Sequence, residues 1–119
     1  MIQPHEMKLN LPMKLSNEAI STTTKVWQIL VASRNGNLEE VKHLVDQCPE
    51  LIYAQYNYTP PIHFAVREGH IDLVKYLLNN GAHDPGYNIY PFNESLQTIA
   101  QDKNHSEIVS MLEQYAKDR

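Results

Sequence analysis

The sequence predicts an all-α protein, a solenoid of stacked helix–turn–helix units. Three observations carry that prediction. The 119-residue chain resembles itself when shifted by 33 residues. Short runs within each copy place apolar residues at i, i+3 and i+4, the spacing of one helical face. A residue able to adopt the left-handed backbone conformation stands between the two runs of every copy.

The first unit is read from "ILVASRNGNLEEVKHLV", which lies over "IHFAVREGHIDLVKYLL" in the second. Ile29 meets Ile62, Ala32 meets Ala65, Arg34 meets Arg67 and Gly36 meets Gly69. Further on, Leu38 meets Ile71, Val41 meets Val74 and Leu44 meets Leu77. Cys48-Pro49 follows, so the second helix of this unit is predicted to stop at proline.

In the second unit, "PIHFAVRE" puts Ile62, Ala65 and Val66 on one face. Pro61 suits a first helical turn, where its missing N–H has no intrahelical partner to lose. Gly69 is predicted to end that helix with a positive φ. The next helix presents Ile71, Val74, Leu77 and Leu78 on one face and closes at Asn80-Gly81.

A shift of 35 brings in a third copy, "TIAQDKNHSEIVSMLE", with Ala100, Asn104, His105, Val109 and Leu112 in register. Asn104 falls where the other copies have glycine. A non-glycine residue there costs roughly 1–2 kcal/mol, and Asn is among the few types that tolerate it. Helices under ~12–15 residues are marginal alone in water. Stability is therefore expected from unit stacking on unit, with the small Ala32, Ala65 and Ala100 allowing close approach.

These residues resemble the ankyrin repeat family. The family pattern of Thr-Pro-Leu-His, Ala, Gly-His, Val, Leu-Leu and Gly-Ala is met by Pro61, Ile62, His63, Ala65, Gly69, His70, Val74, Leu77, Leu78, Gly81 and Ala82. The resemblance extends over Trp27–Leu51 and Glu94–Lys117. Pro60 stands at the family's Thr position, so the capping hydroxyl is missing there, and Thr59 beside it stays open as a substitute. Leu96-Gln97-Thr98 replaces Pro-Leu-His in the third copy, and Glu113 replaces a Leu that would face a following repeat. That change fits an end cap with a wetted outer face. The boundaries expected are a segment 1–20 and a repeat domain 21–119, with repeats at about 24–56, 57–91 and 92–119.

Residues 1–20 lie outside the resemblance. Met7, Leu9, Leu11, Met13 and Leu15 alternate with polar residues, the period of an extended segment with one buried side. Pro12 denies it a central-strand role. The reading adopted is a segment covering the first repeat near Trp27. A mobile tail and docking onto a partner's edge stay open as alternatives.

Composition narrows the function. Apolar residues are 42% and charged residues 20%, as in a folded soluble domain. The net charge is −4, and Lys and Arg occur only as isolated singles, which argues against a nucleic-acid footprint. A single cysteine, Cys48, excludes an internal disulfide and fits a reducing compartment. No stretch has the apolar core of a secretory signal or membrane span, so a cytoplasmic location is the expectation.

Six histidines invite a metal or catalytic reading. By the resemblance, His63, His70 and His105 are structural groups that tie turns together. His5, His43 and His83 form no cluster of ligand spacing. No phosphate loop or activated nucleophile appears. Cys48 lies at a helix C-terminus, where the dipole disfavours a thiolate. The expectation is no enzyme activity, no cofactor and no metal.

The resemblance places recognition on a concave face made by finger-like connecting loops and the first helix of each unit. Tyr53, Tyr56 and Tyr58 fall in one connection, and Tyr87, Tyr90 and Phe92 in the next. By the resemblance, Tyr56, Asn57 and Thr59 stand near one tip, and Tyr90 and Phe92 near the other. Arg67 and Glu68 would face the groove with their counterparts Arg34, Asn35, Asp102 and Lys103. Tyrosine suits recognition because it gives contact area at little rotamer cost. A patch of exposed rings flanked by Arg67 and Arg34 is expected.

The function expected is a non-catalytic, monomeric module binding another protein, without nucleic acid or membrane partners. One alternative is a targeting or regulatory domain of a larger enzyme whose catalytic part lies outside these residues. Another is an inhibitor that occludes a partner's active site.

Overall fold

A computed structural model describes residues 3–15, 19–56, 59–81, 88–89 and 94–117. Its frame is three helical pairs. They are α2 (Thr23–Asn35) with α3 (Leu38–Gln47), α4 (Pro61–Glu68) with α5 (Ile71–Asn79), and α6 (Leu96–Asp102) with α7 (Ser106–Lys117). A short helix α1 (His5–Lys8) and a hairpin of β1 (Pro12–Lys14) and β2 (Ile20–Thr22) precede them. A second hairpin, β3 (Asn88–Ile89) with β4 (Glu94–Ser95), leads into α6. The all-α expectation is corrected to that extent.

Local sequence explains where each helix begins. Thr22, Asn37 and Ser95 cap α2, α3 and α6 by accepting from the N–H of Lys25, Glu40 and Thr98. Pro61 opens α4, and its N-cap Pro60 supplies no side-chain bond. Helix α3 stops at Cys48, as the following proline requires, and a 3-10 turn over Pro49–Tyr53 carries the chain onward.

Packing builds one core from all three pairs. Helix α4 lies between α2 and α6, and α5 packs on α7. Ala65 and Ala100 are fully buried, and Ala32 is nearly so. Sandwiched on both sides, α4 buries every residue from Pro61 to Val66 instead of one stripe. On α5 the buried set is Leu73, Val74, Leu77 and Leu78. Ile71, assigned to that face from its spacing, is 37% exposed. Leu73, 1% exposed, takes its place.

The N-terminal segment is not the single extended run that alternation suggested. One helical turn and a positive φ at Asn10 break the period. Met7 and Leu15 enter the core, whereas Leu9 and Leu11 remain about half exposed. The Thr23 N–H donates to the Leu11 carbonyl, and the Leu11 N–H donates to Thr23 Oγ1, which pins the segment to the start of α2. Pro12 pairs with Thr22 in a two-stranded sheet, where the proline needs no second neighbour.

Candidate functional site

The three inner helices α2, α4 and α6 end in the same turn. Gly36, Gly69 and Asn104 adopt φ of 72°, 77° and 61°. In each turn the next residue's N–H returns to the carbonyl of the alanine shared by the three copies: Asn37 to Ala32, His70 to Ala65 and His105 to Ala100. The left-handed residue is required because the chain reverses while keeping those bonds. Asn104 performs this role as its residue type predicts.

Histidines lock one turn to the next. His70 Nε2 lies 2.8 Å from the Arg34 carbonyl oxygen, and His105 Nε2 lies 3.1 Å from that of Arg67. A carbonyl only accepts, so each Nε2 carries the proton. The rings rest directly on the glycines. A Cβ built on Gly36 would stand 2.5 Å from His70 Nδ1, and one on Gly69 would stand 2.7 Å from His105 Cε1. Both glycines are therefore needed twice, for φ and for space.

This linkage sets Arg34 and Asn35, Arg67 and Glu68, and Asp102 and Lys103 at equivalent places in three consecutive turns. Arg67 Nε meets Glu68 Oε2 at 3.1 Å, and its guanidinium lies 5.0 Å from the Phe64 ring centroid. Asn35, Glu68, Asp102 and Lys103 are exposed. The row presents charge of both signs.

The tyrosines are arranged differently. Tyr56 and Thr59 pair across an antiparallel bridge just before α4, whereas Arg67 and Glu68 end that helix. Eight helical residues, about 12 Å at 1.5 Å each, separate the two groups. Tyr56 is half-buried. Its ring meets Trp27 edge-on with centroids 6.2 Å apart, and its hydroxyl donates to Glu6 Oε1 at 3.0 Å. Tyr53 is partly buried against the core. Asn57, Tyr90 and Phe92, named with these as contact residues, lie outside the described residues, as do Tyr58 and Tyr87. Glu6 escaped sequence reasoning altogether, since nothing local ties residue 6 to residue 56.

The Glu6 carboxyl is held below its ordinary range, first by its own backbone N–H and then by the Tyr56 hydroxyl. The same bond raises Tyr56. His63 departs from the structural role expected of it. It is buried, and its Nδ1 has no hydrogen-bond partner among the described residues. Desolvation, with Arg67 nearby, lowers its pKa to about 4. The missing partner coincides with Pro60: in the third pair, Ser95 Oγ and Thr98 Oγ1 at the same two places lie 3.0 Å apart.

An open groove of about 290 Å³ lies beside α2 and α3, lined by Trp27, Gln28, Val31, Ala32, Asn35, Asn37 and Glu40. Cys48 Sγ accepts from Lys25 Nζ at 3.2 Å. No group of three or more His, Cys, Asp or Glu side chains among the described residues could hold a metal ion. No helix among them is long and apolar enough to cross a membrane.

Comparison with known proteins agrees with this geometry. No curated protein matches the chain. The family model described as ankyrin repeats (3 copies) matches residues 17–89, and the α6–α7 pair beyond that span repeats the turn and histidine contact of the pairs within it. The chain thus belongs to the ankyrin-repeat family, whose repeats generally mediate protein–protein interaction and are typically non-catalytic.

Proposed function

We propose that residues 21–119 form a three-unit solenoid, capped by residues 1–20, that binds another protein along its inner helices and finger-like connections without turnover. The single observation that carries this reading is the row of turns. Arg34 and Asn35, Arg67 and Glu68, and Asp102 and Lys103 are held in register by the His70 and His105 bonds. Side chains on a rigid support lose little conformational entropy on binding, which favours recognition. The mixed charge along the row suits a polar partner surface presenting carboxylates beside donors.

The test is affinity capture from the source cell with three baits of matched helicity. They are the native chain, an Arg34→Glu/Arg67→Glu variant, and a Lys75→Glu control on the exposed face of α5. A partner retained by native and control baits but lost by the double variant is expected. A partner held equally by all three baits would place binding elsewhere.

A further inference from the structure

The groove beside α2 and α3 lies where the first pair differs from the second at two matched positions. The second pair has Phe64 and Leu73 there, both buried, and the first has Val31 and Glu40, both half-buried. The smaller side chain leaves space, and the charged one borders it. The N-terminal segment does not fill that space. It is fastened at Thr23, at the start of α2, and none of its described residues lines the groove. The result is an open hollow of about 290 Å³ with Trp27 and Val31 among its apolar lining.

Charge in this groove has one sign. Among the described residues lining it, Glu40 alone is charged. The Glu40 N–H donates to Asn37 Oδ1 at 3.2 Å, which fixes the first turn of α3 and the root of the carboxylate. Among the described residues Glu40 has no ion-pair partner. Cations of the same two helices are engaged elsewhere. Lys25 Nζ lies 3.2 Å from Cys48 Sγ, and Lys42 Nζ lies 5.9 Å from the Tyr76 ring centroid. Arg34 does not line the groove. A half-buried carboxylate without a counter-ion has given up part of its hydration, so a cationic donor is strongly favoured beside it.

We propose that the groove seats an arginine side chain of a partner protein, with the guanidinium on the Glu40 carboxylate and the methylene stem along Trp27 and Val31. A guanidinium is planar, weakly hydrated and carries five donors. Two of them can pair with the carboxylate, and the Gln28 and Asn35 amides in the lining offer oxygens to others. The stem covers apolar surface while the head stays at the polar wall. A lysine ammonium is more strongly hydrated and has no fork to match a carboxylate, so it fits less well. The inference rests on the reading of the chain as a protein-binding module. Its test uses isolated peptides, so either can fail without the other.

The test is an amide NMR titration of the full chain with a capped Gly-Ser-Arg-Ser-Gly peptide. The same peptide with lysine, and with citrulline, which keeps the shape of arginine without its charge, are the comparisons. The arginine peptide should shift the amides of Gln28, Val31 and Glu40 and bind about tenfold or more tighter than the citrulline peptide, with lysine between them. Glu40→Gln should weaken arginine binding about tenfold. Glu113→Gln, an exposed carboxylate on α7, should change it by less than about twofold. Amide shifts away from the groove verify that each variant is folded. Citrulline or lysine binding as tightly as arginine would overturn the proposal, as would equal losses in the two variants. So would shifts at these amides that grow with protein concentration alone, which would give the groove to a second copy.

Discussion

Tyr56 and Glu6, fifty positions apart in sequence, share a hydrogen bond of 3.0 Å from phenol to carboxylate. The Tyr56 ring is also held edge-on by Trp27, so the N-terminal helix, the first inner helix and the first connection meet at one ring. The backbone N–H at Glu6 is the larger cause of its lowered pKa, and Tyr56 is the second. Tyr56→Phe should therefore return only part of the shift, as followed by NMR titration of the Glu6 side chain. The bond's contribution is present above the ordinary carboxylate range and is lost as pH falls through the depressed value. An unchanged Glu6 titration in the Tyr56→Phe variant would show that the bond is not populated in solution.

Met7 makes the N-terminal segment part of the core. It is 1% exposed, against 48% for Leu9 two residues later. Met7→Ala should cost about 2–5 kcal/mol in urea unfolding, the range for emptying a buried Met site. Leu9→Ala should stay within about 0.5 kcal/mol. Equal effects would mean that the segment is not docked as described.

Gly36 combines a φ of 72° with the imidazole of His70 where its Cβ would stand. Gly36→Ala should cost the roughly 1–2 kcal/mol of the left-handed conformation plus displacement of the ring. In a double-mutant cycle, His70→Ala should relieve part of that loss, because the overlap then disappears. Asn104→Gly should instead stabilise, by up to about 1 kcal/mol, since the residue is exposed and glycine relieves its φ of 61°. Chemical denaturation midpoints of the four variants decide this.

His63 should make stability depend on acid. Its folded pKa of about 4 lies below the ordinary histidine value of 6.5, so the fold holds the ring neutral. The unfolded chain binds the proton first as pH drops. Stability is thus complete above about 6.5 and falls between there and 4, by roughly 1–3 kcal/mol. His63→Gln should flatten unfolding free energy against pH in that window. A slope that survives the substitution would assign the effect to other groups.

Pro60→Thr tests the origin of the orphaned Nδ1. A hydroxyl at the α4 N-cap would stand three residues before His63, as Ser95 does before Thr98, where the Oγ–Oγ1 distance is 3.0 Å. Partnering a buried ring nitrogen and adding a cap should stabilise by about 1 kcal/mol and shrink the acid slope. A lower denaturation midpoint would show that the proline's rigidity outweighs the missing bond.

Much of this was legible before any coordinates. The helix–turn–helix repeat, the positive φ of Gly69 and Asn104, and the stop of α3 at Cys48-Pro49 all rest on the conformational preferences of a few adjacent residues. Such preferences act over four or five positions, and no distant contact is needed to impose them. The wetted place of Glu113 was readable for a related reason: a charged residue on a repeat position that is otherwise apolar marks a face without a neighbour.

Tertiary structure decided which surfaces close. Spacing alone assigned Ile71 to the core in place of Leu73, because a periodic pattern gives a face but not the angle at which the neighbouring pair meets it. Alternation over Met7 to Leu15 implied one buried edge, yet only a helical turn and Asn10 bring Met7 and Leu15 inward together. The Tyr56–Glu6 bond, the orphaned His63 nitrogen and the seats of His70 and His105 on Gly36 and Gly69 join residues that local sequence never compares. Repeat and turn were written in the chain's own short-range energetics, and burial and partnership waited on what folding brought alongside.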